Sequence, residues 1–381
     1  MVTRGYAAGA ALLRTGPYVV HRGQRTADRQ PVLLKTAARG PARRAERDAL
    51  EREFQLLRSV AIAGVPEAID LLPGAADGEA PVLVLEDRGF SPIVSRATRE
   101  AGELSSFFET AMALAGTLAD LHRVDLVCGG VTPAALLVAA DGRGVQLVDF
   151  SLAARVSIDT ALDTALSWGV TPYTSPEQTG RINRSVDHRS DLYSLGATLY
   201  HLLVGVAPFR SDDPLGLIHA HLAKSPAPPR ALDAFVPEQV SAIVMRLLAK
   251  AAEDRYQSAL GVLADLDVCA REWHATGRVR IFDLGRSDVS DRFLIPQRLY
   301  GRERELADLT AAFDDACGGR SSLLLVAGYS GIGKTSLISE LYRPIVKQRG
   351  YFLAGKFDQV VRSVPYGALI QAFRGFVWQA L

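Results

Sequence analysis

The sequence predicts an α+β protein in two lobes, a small β-rich lobe followed by a larger helical one, with an incomplete α/β segment behind them. Three observations predict it. Short alternating apolar runs separated by turn residues fill the chain up to Lys35, and apolar residues then recur at helical spacing as far as Gly277. Further on, the apolar run Leu323 to Val326 leads through a glycine-rich loop into another helical pattern.

The first elements are strands at Ala11–Arg14, Tyr18–Arg22 and Val32–Lys35, interrupted by Gly16 and by Asp28-Arg29-Gln30. A helix over Glu46–Val60 follows, with Leu50, Phe54, Leu57 and Val60 spaced as one apolar stripe. Pro81–Leu85 reads as a further strand ending in Glu86-Asp87, and Leu114, Leu118 and Leu121 mark a helix. Val145–Val148 is a buried strand and Leu192–Leu203 a strongly apolar helix.

With 381 residues the chain is long enough for two to three domains. Lys and Arg number 43 against 42 Asp and Glu, so no net field draws nucleic acid or an anionic membrane. Cys128, Cys269 and Cys317 lie far apart without CxxC spacing, which argues against a disulfide framework or zinc site and for a reducing cytoplasm. No apolar run is long enough to span a bilayer, and no signal-like core follows the N-terminus.

Six short motifs occur in a fixed order. Pro31-Val32-Leu33-Leu34-Lys35 ends a strand on a lysine, and Glu53 lies on the next helix. Val148-Asp149-Phe150-Ser151 closes a buried strand, and Ser175-Pro176-Glu177 follows it. Asp191 to Gly196 begins a helix, and Arg255 stands in Glu253-Asp254-Arg255-Tyr256-Gln257. Over about residues 6–275 this order resembles the bilobal protein kinases.

The resemblance implies a kinase-like N-lobe over 1–88, a C-lobe over 89–275, a linker over 276–298 and a truncated ATPase domain over 299–381. It implies nucleotide binding by Lys35, Glu53, Glu86 and Asp149, with Asp149 holding magnesium between the β- and γ-phosphates of ATP. Glu177 and Arg255 would form a structural ion pair in the lower lobe.

The departures from the family fall together. The proton-accepting aspartate stands about 19 residues before the magnesium aspartate, a count that lands on Gly130. The asparagine that holds the second magnesium becomes Ala135, and the lysine between them becomes Thr132. The glycine-rich loop carries Leu13, Thr15 and Tyr18 at glycine positions, with Gly16 nearby, so backbone amides lose close access to phosphates. In the activation segment, the threonine that meets the catalytic loop aligns with Val170, beside Thr171; Thr160, Thr164 and Ser167 are hydroxyls open to phosphorylation.

His122-Arg123-Val124-Asp125 imitates the catalytic motif, but Asp125 stands too far from Asp149 and has Gly130 where asparagine should follow. It is therefore read as a loop residue. His219 and His221 point in nearly opposite directions on a helix and are read as ordinary residues rather than metal ligands. Cys128 lacks a flanking base and is read as a small buried residue.

Ser175 to Arg184 and Glu253 to Ser258 resemble, more narrowly, the kinase-like N-terminal domain of large bacterial signalling proteins, which join it to a P-loop ATPase, sensor and histidine kinase modules. Ile295 to Glu303 resembles the entry to that ATPase. Gly328, Gly331, Gly333, Lys334 and Thr335 then form a full Gly-x4-Gly-Lys-Thr between expected strand and helix. Its amides would cradle phosphates, Lys334 would neutralise them and Thr335 would reach Mg2+. Gly350–Phe357 resembles a second strand, no acidic strand end completes the site, and the chain reads as a fragment, truncated product or degenerate copy.

Two functions remain in view. One is a cytoplasmic regulatory pseudokinase, docking to signalling proteins or to the adjacent ATPase or sensor domains. The other is an active serine/threonine kinase with an atypical catalytic loop.

Overall fold

The computed structural model describes residues 5–38, 44–74, 81–93, 103–155, 169–181, 184–289 and 301–329 continuously, together with 2–3, 332–341, 366–380 and a few single positions near the C-terminus. Thr160, Thr164, Ser167, Gly331 and most of Gly350–Phe357 and Ile295–Glu303 lie outside the described residues.

The upper lobe is a six-stranded antiparallel sheet ordered β1-β2-β3-β4-β6-β5. Its strands are β1 (Val2–Thr3), β2 (Tyr6–Thr15), β3 (Tyr18–Arg25), β4 (Pro31–Ala37), β5 (Ala68–Leu72) and β6 (Val82–Glu86). β4 alternates cleanly: Val32 and Leu34 join an outer cluster with Tyr6, Val82 and Val84, whereas Leu33 joins the main core on the other face with Val20 and Leu85. Lys35 shares the inner face of Leu33 and is fully buried. β5 has no counterpart among the expected strands; its central residues are only half-buried, which weakens the periodic signal.

Helix α1 (Arg44–Arg58) starts before the expected Glu46 and stops two residues short of Val60, where turn bonds from Ser59 and Val60 end it. Its buried face is Ala49, Leu50, Glu53 and Leu57, with Phe54 half-buried. Phe54 and Val60 pack against the main core as the apolar stripe expects, and Glu53 turns inward beside them to a buried cationic partner.

The lower lobe carries β7 (Ser91–Pro92), β8 (Leu126–Val127), β9 (Leu136–Val138), β10 (Val145–Leu147) and β11 (Ala154–Arg155), with β9 and β10 forming a hairpin beneath the upper sheet. Its helices are α2 (Glu103–Arg123), α3 (His188–Val204), α4 (Pro214–Ala223), α5 (Pro229–Leu232), α6 (Glu238–Leu247) and α7 (Ala259–Thr276). α3 is buried on every side from His188 to Tyr200, as a helix at the centre of a lobe must be. Asp187 caps its start by accepting from the Arg189 amide, and Gly205, left-handed, ends it.

Residues 277–289, read from sequence as connector, pack on the lower lobe: Gln239 donates to the Phe282 carbonyl, Arg246 to that of Leu284, and Asp288 accepts from the amides of Gln257 and Ser258. Beyond them come α8 (Glu303–Cys317), α9 (Lys334–Ser339) and α10 (Gly367–Ala380). Leu323–Val326, expected as a strand, pairs with nothing among the described residues, and Leu323 and Leu325 are 97% and 92% exposed. A strand persists only where neighbours take up its amides and carbonyls, and no such neighbour is described.

Candidate functional site

The site is assembled where β4, α1 and the segment after β10 meet. Lys35 Nζ donates to Glu53 Oε1 at 2.7 Å and Oε2 at 2.8 Å, and to Asp149 Oδ1 at 2.7 Å. Glu53 also accepts from the Phe150 amide at 2.9 Å, which ties α1 to the segment carrying Asp149. The Tyr18 ring lies 4.9 Å from the ammonium, and its hydroxyl donates to the Glu46 carbonyl.

Two carboxylates compete for one ammonium in a water-poor setting. Burial pushes the Glu53 carboxyl up to about 7, against the opposing pull of Lys35. At Asp149 burial also acts upwards, but Lys35, Ser151 and Thr15 outweigh it and hold the carboxyl below its ordinary range. At Lys35 burial works against the charge and the two carboxylates prevail, so its pKa is raised.

Asp149 is engaged on both oxygens. Oδ1 also accepts from the Ser151 amide at 3.2 Å and the Ser151 hydroxyl at 2.6 Å, and Oδ2 accepts from the Thr15 hydroxyl. Thr15 reaches it from the β2–β3 turn, where Gly16 is left-handed. The sequence marked Thr15 only as a lost glycine; its partner lies 134 residues away and left no local signal.

Gly130 and Thr132 line a cavity of about 200 Å3 together with Thr15, Asp149, Ser151 and the Gly169–Thr174 segment. Val170 and Thr171 both border it. Ala135 is buried beneath, its carbonyl accepting from the Val148 amide. The loop keeps its path because Asp191, at the start of α3, accepts from the amides of Cys128 and Gly129, both at 2.8 Å, and from His122 Nε2 at 2.9 Å. Gln178 adds a bond to the Gly129 carbonyl at 2.7 Å. Cys128 is fully buried, and burial pushes its thiol well up. Asp125 sits left-handed on an exposed turn outside the cavity lining.

Glu86 turns its carboxylate to Arg88 at 2.9 Å, while its backbone carbonyl accepts from the buried Gln146 side chain at 3.2 Å. Glu177 and Arg255 meet in the lower lobe at 2.6 and 2.9 Å. His221 is buried between the Tyr193 hydroxyl and the Thr171 carbonyl, each 2.9 Å away. The described residues contain no group of three His, Cys, Asp or Glu able to hold a metal.

In the glycine loop before α9, Gly333 is left-handed and Lys334 Nζ donates to the carbonyls of Gly328 and Tyr329, both at 2.8 Å. Thr335 is exposed on the first turn of the helix. Lysine and hydroxyl therefore stand at the same loop, the donor set that a nucleotide phosphate and its cation require.

Residues 16–264 match the protein kinase domain family, and residues 298–381 match the AAA ATPase domain family. Hybrid signal transduction histidine kinase G of Dictyostelium discoideum is 38% identical over 225 residues, which cover 54% of this chain and 6% of that protein. Serine/threonine-protein kinase PknB of Mycobacterium tuberculosis is 37% identical over 147 residues, covering 38% of this chain and 23% of PknB. The chain thus spans under a quarter of either relative. Among solved structures, the autoinhibited serine kinase domain of the giant muscle protein titin aligns with a TM-score of 0.56 at 18% identity, over 72% of this chain and 84% of that one. That likeness carries the fold alone.

Proposed function

The chain belongs to the protein kinase family, and from that premise we propose that it is a regulatory pseudokinase joined to an AAA ATPase domain. It works by docking signalling proteins or its neighbouring domains in the cytoplasm rather than by phosphorylating them. The observation that carries this reading is the floor of the cavity, where Gly130 and Thr132 present no proton acceptor and no cation beside Asp149. Loss of a positioned base alone costs roughly 100- to 10,000-fold in rate. Ala135 removes a metal ligand as well.

ATP and its divalent cation belong to both domain families, and in this reading Lys334 and Thr335 serve them at the P-loop. The signalling role is supported by the histidine kinase relative. No helix among the described residues is long and apolar enough to cross a membrane.

The intact Lys35, Glu53 and Asp149 cluster favours the second reading, an active serine/threonine kinase with an atypical loop. Phosphate transfer from γ-labelled ATP to a generic basic protein and to the chain itself, beside a Lys35→Met control, separates the two. We expect no transfer above the control; transfer above it sinks the pseudokinase reading.

A further inference from the structure

We infer that the cleft between the two lobes is closed by the chain's own side chains and takes neither nucleotide nor its divalent cation, leaving the P-loop as the place where this protein meets ATP. The inference goes beyond the loss of phosphoryl transfer, which would leave nucleotide binding untouched.

Lys35 and Asp149 mark the phosphate end of the cleft, so a base would have to enter the rest of it, between the upper sheet and the β9–β10 hairpin. A planar base needs a slot with two accessible apolar faces. Here Val20, Leu33 and Leu85 from above and Leu137 and Val148 from below are all fully buried within one continuous core. Leu33 stands two residues before Lys35, where the strand signature Val-Ala-Ile-Lys has alanine. Its isobutyl group faces the hairpin side, because Val32 and Leu34 occupy the outer cluster.

Gln146, fully buried, already donates to the Glu86 carbonyl on the connection between the lobes. The cavity at Asp149 opens instead toward Gly169–Thr174; none of Val20, Leu33, Leu85 or Leu137 lines it. Its roughly 200 Å3 falls below the 300–1,000 Å3 usual for a ligand site.

The polar end fits a metal no better. A magnesium ion demands oxygen ligands at about 2.0–2.1 Å in octahedral array. Three donors already converge on Asp149 Oδ1, and the Thr15 hydroxyl lies on Oδ2. Thr132, where the family has lysine, offers no cation for a polyphosphate. The residues that would hold a metal nucleotide in the family hold one another in this chain.

The test is equilibrium binding of ATP with magnesium to the whole chain and to Lys334→Ala, Asp149→Asn and Leu33→Ala in the Lys334→Ala background, each checked for folding by its melting curve. Lys334→Ala is expected to show no saturable binding below roughly 1 mM, and Asp149→Asn to bind like the unaltered chain. Leu33→Ala, by opening the slot, is expected to raise cleft affinity by about tenfold or more.

Binding to Lys334→Ala that a further Asp149→Asn change abolishes would overturn the closed cleft, and would do so even if no phosphate is transferred. Binding that survives both changes lies outside the cleft and upholds its closure. No binding to the unaltered chain would overturn the P-loop assignment, and no gain from Leu33→Ala would overturn its place as the obstruction. Phosphate transfer is read separately and bears on the pseudokinase reading.

Discussion

Arg255→Met removes the guanidinium that anchors the end of the activation segment. Arg255 is fully buried and donates to Glu177 Oε1 and Oε2 and to the carbonyls of Arg189, Ala249 and Lys250 at 2.6–3.2 Å. Methionine fills much of the volume but donates nothing. Glu177 keeps only the Ser190 hydroxyl, at 2.7 Å, as its side-chain partner among the described bonds. Its carboxyl is held below the ordinary range, since Arg255 outweighs the upward push of burial.

Leaving one member of a buried pair uncompensated costs about 3–5 kcal/mol. For a domain of this size that corresponds to a fall in Tm of roughly 6–20 °C. Urea unfolding followed by tryptophan fluorescence and circular dichroism measures it. The double variant Arg255→Met, Glu177→Gln is expected to recover about 1–3 kcal/mol of that loss, because the stranded charge is gone. A single variant within about 1 kcal/mol of the unaltered chain, or a double variant no better than the single, would refute the reasoning.

Further outcomes follow from the same contacts. Gly130→Asp is expected to fold normally, because a Cβ there meets only Leu152 at 3.8 Å, and to leave phosphate transfer absent, since Ala135 and the engaged Asp149 remain. Gly129→Ala should lower Tm clearly: Gly129 is left-handed and a Cβ would stand 2.5 Å from the Leu152 carbonyl oxygen, a strain of order 1–3 kcal/mol. Burial depresses His221 to about 4 from its ordinary 6.5, so the unfolded chain binds more protons between those values. Its contribution is then complete above pH 6.5 and lost as pH falls towards 4, up to about 3 kcal/mol; His221→Gln should flatten that slope in melts across pH. Thr15→Val should leave the fold intact but speed amide exchange at the β2–β3 turn, where unchanged exchange would deny the Thr15–Asp149 bond a clamping role.

Much of the fold was legible in the sequence because its signals are local. Alternation placed β3 and β4 and helical spacing placed α1 and α3 within a few residues, while for α2 it marked only the C-terminal half of Glu103–Arg123. Misses came where tertiary partners outweighed local pattern. β5 has a half-buried face with weak alternation, which left no periodic signal to find. Leu323–Val326 has strand composition without a described partner, and composition alone makes no ladder.

The sequence by itself determined the family order of motifs and what is missing from the catalytic loop. No environment gives Gly130 a carboxylate or Ala135 a metal-binding amide, so those losses hold whatever the packing. Only the tertiary structure decided what the retained residues do. Thr15, Lys35, Glu53 and Asp149 come from four separate elements, and Leu33 and Leu137, from different lobes, lie in one core. A side chain's presence is written at one position, but its partner is chosen by the fold, which brings Thr15 and Lys35 to Asp149 across 134 and 114 positions. The sequence alone therefore left open whether Asp149 was free for a ligand; in the folded chain its oxygens are taken by Lys35, Ser151 and Thr15.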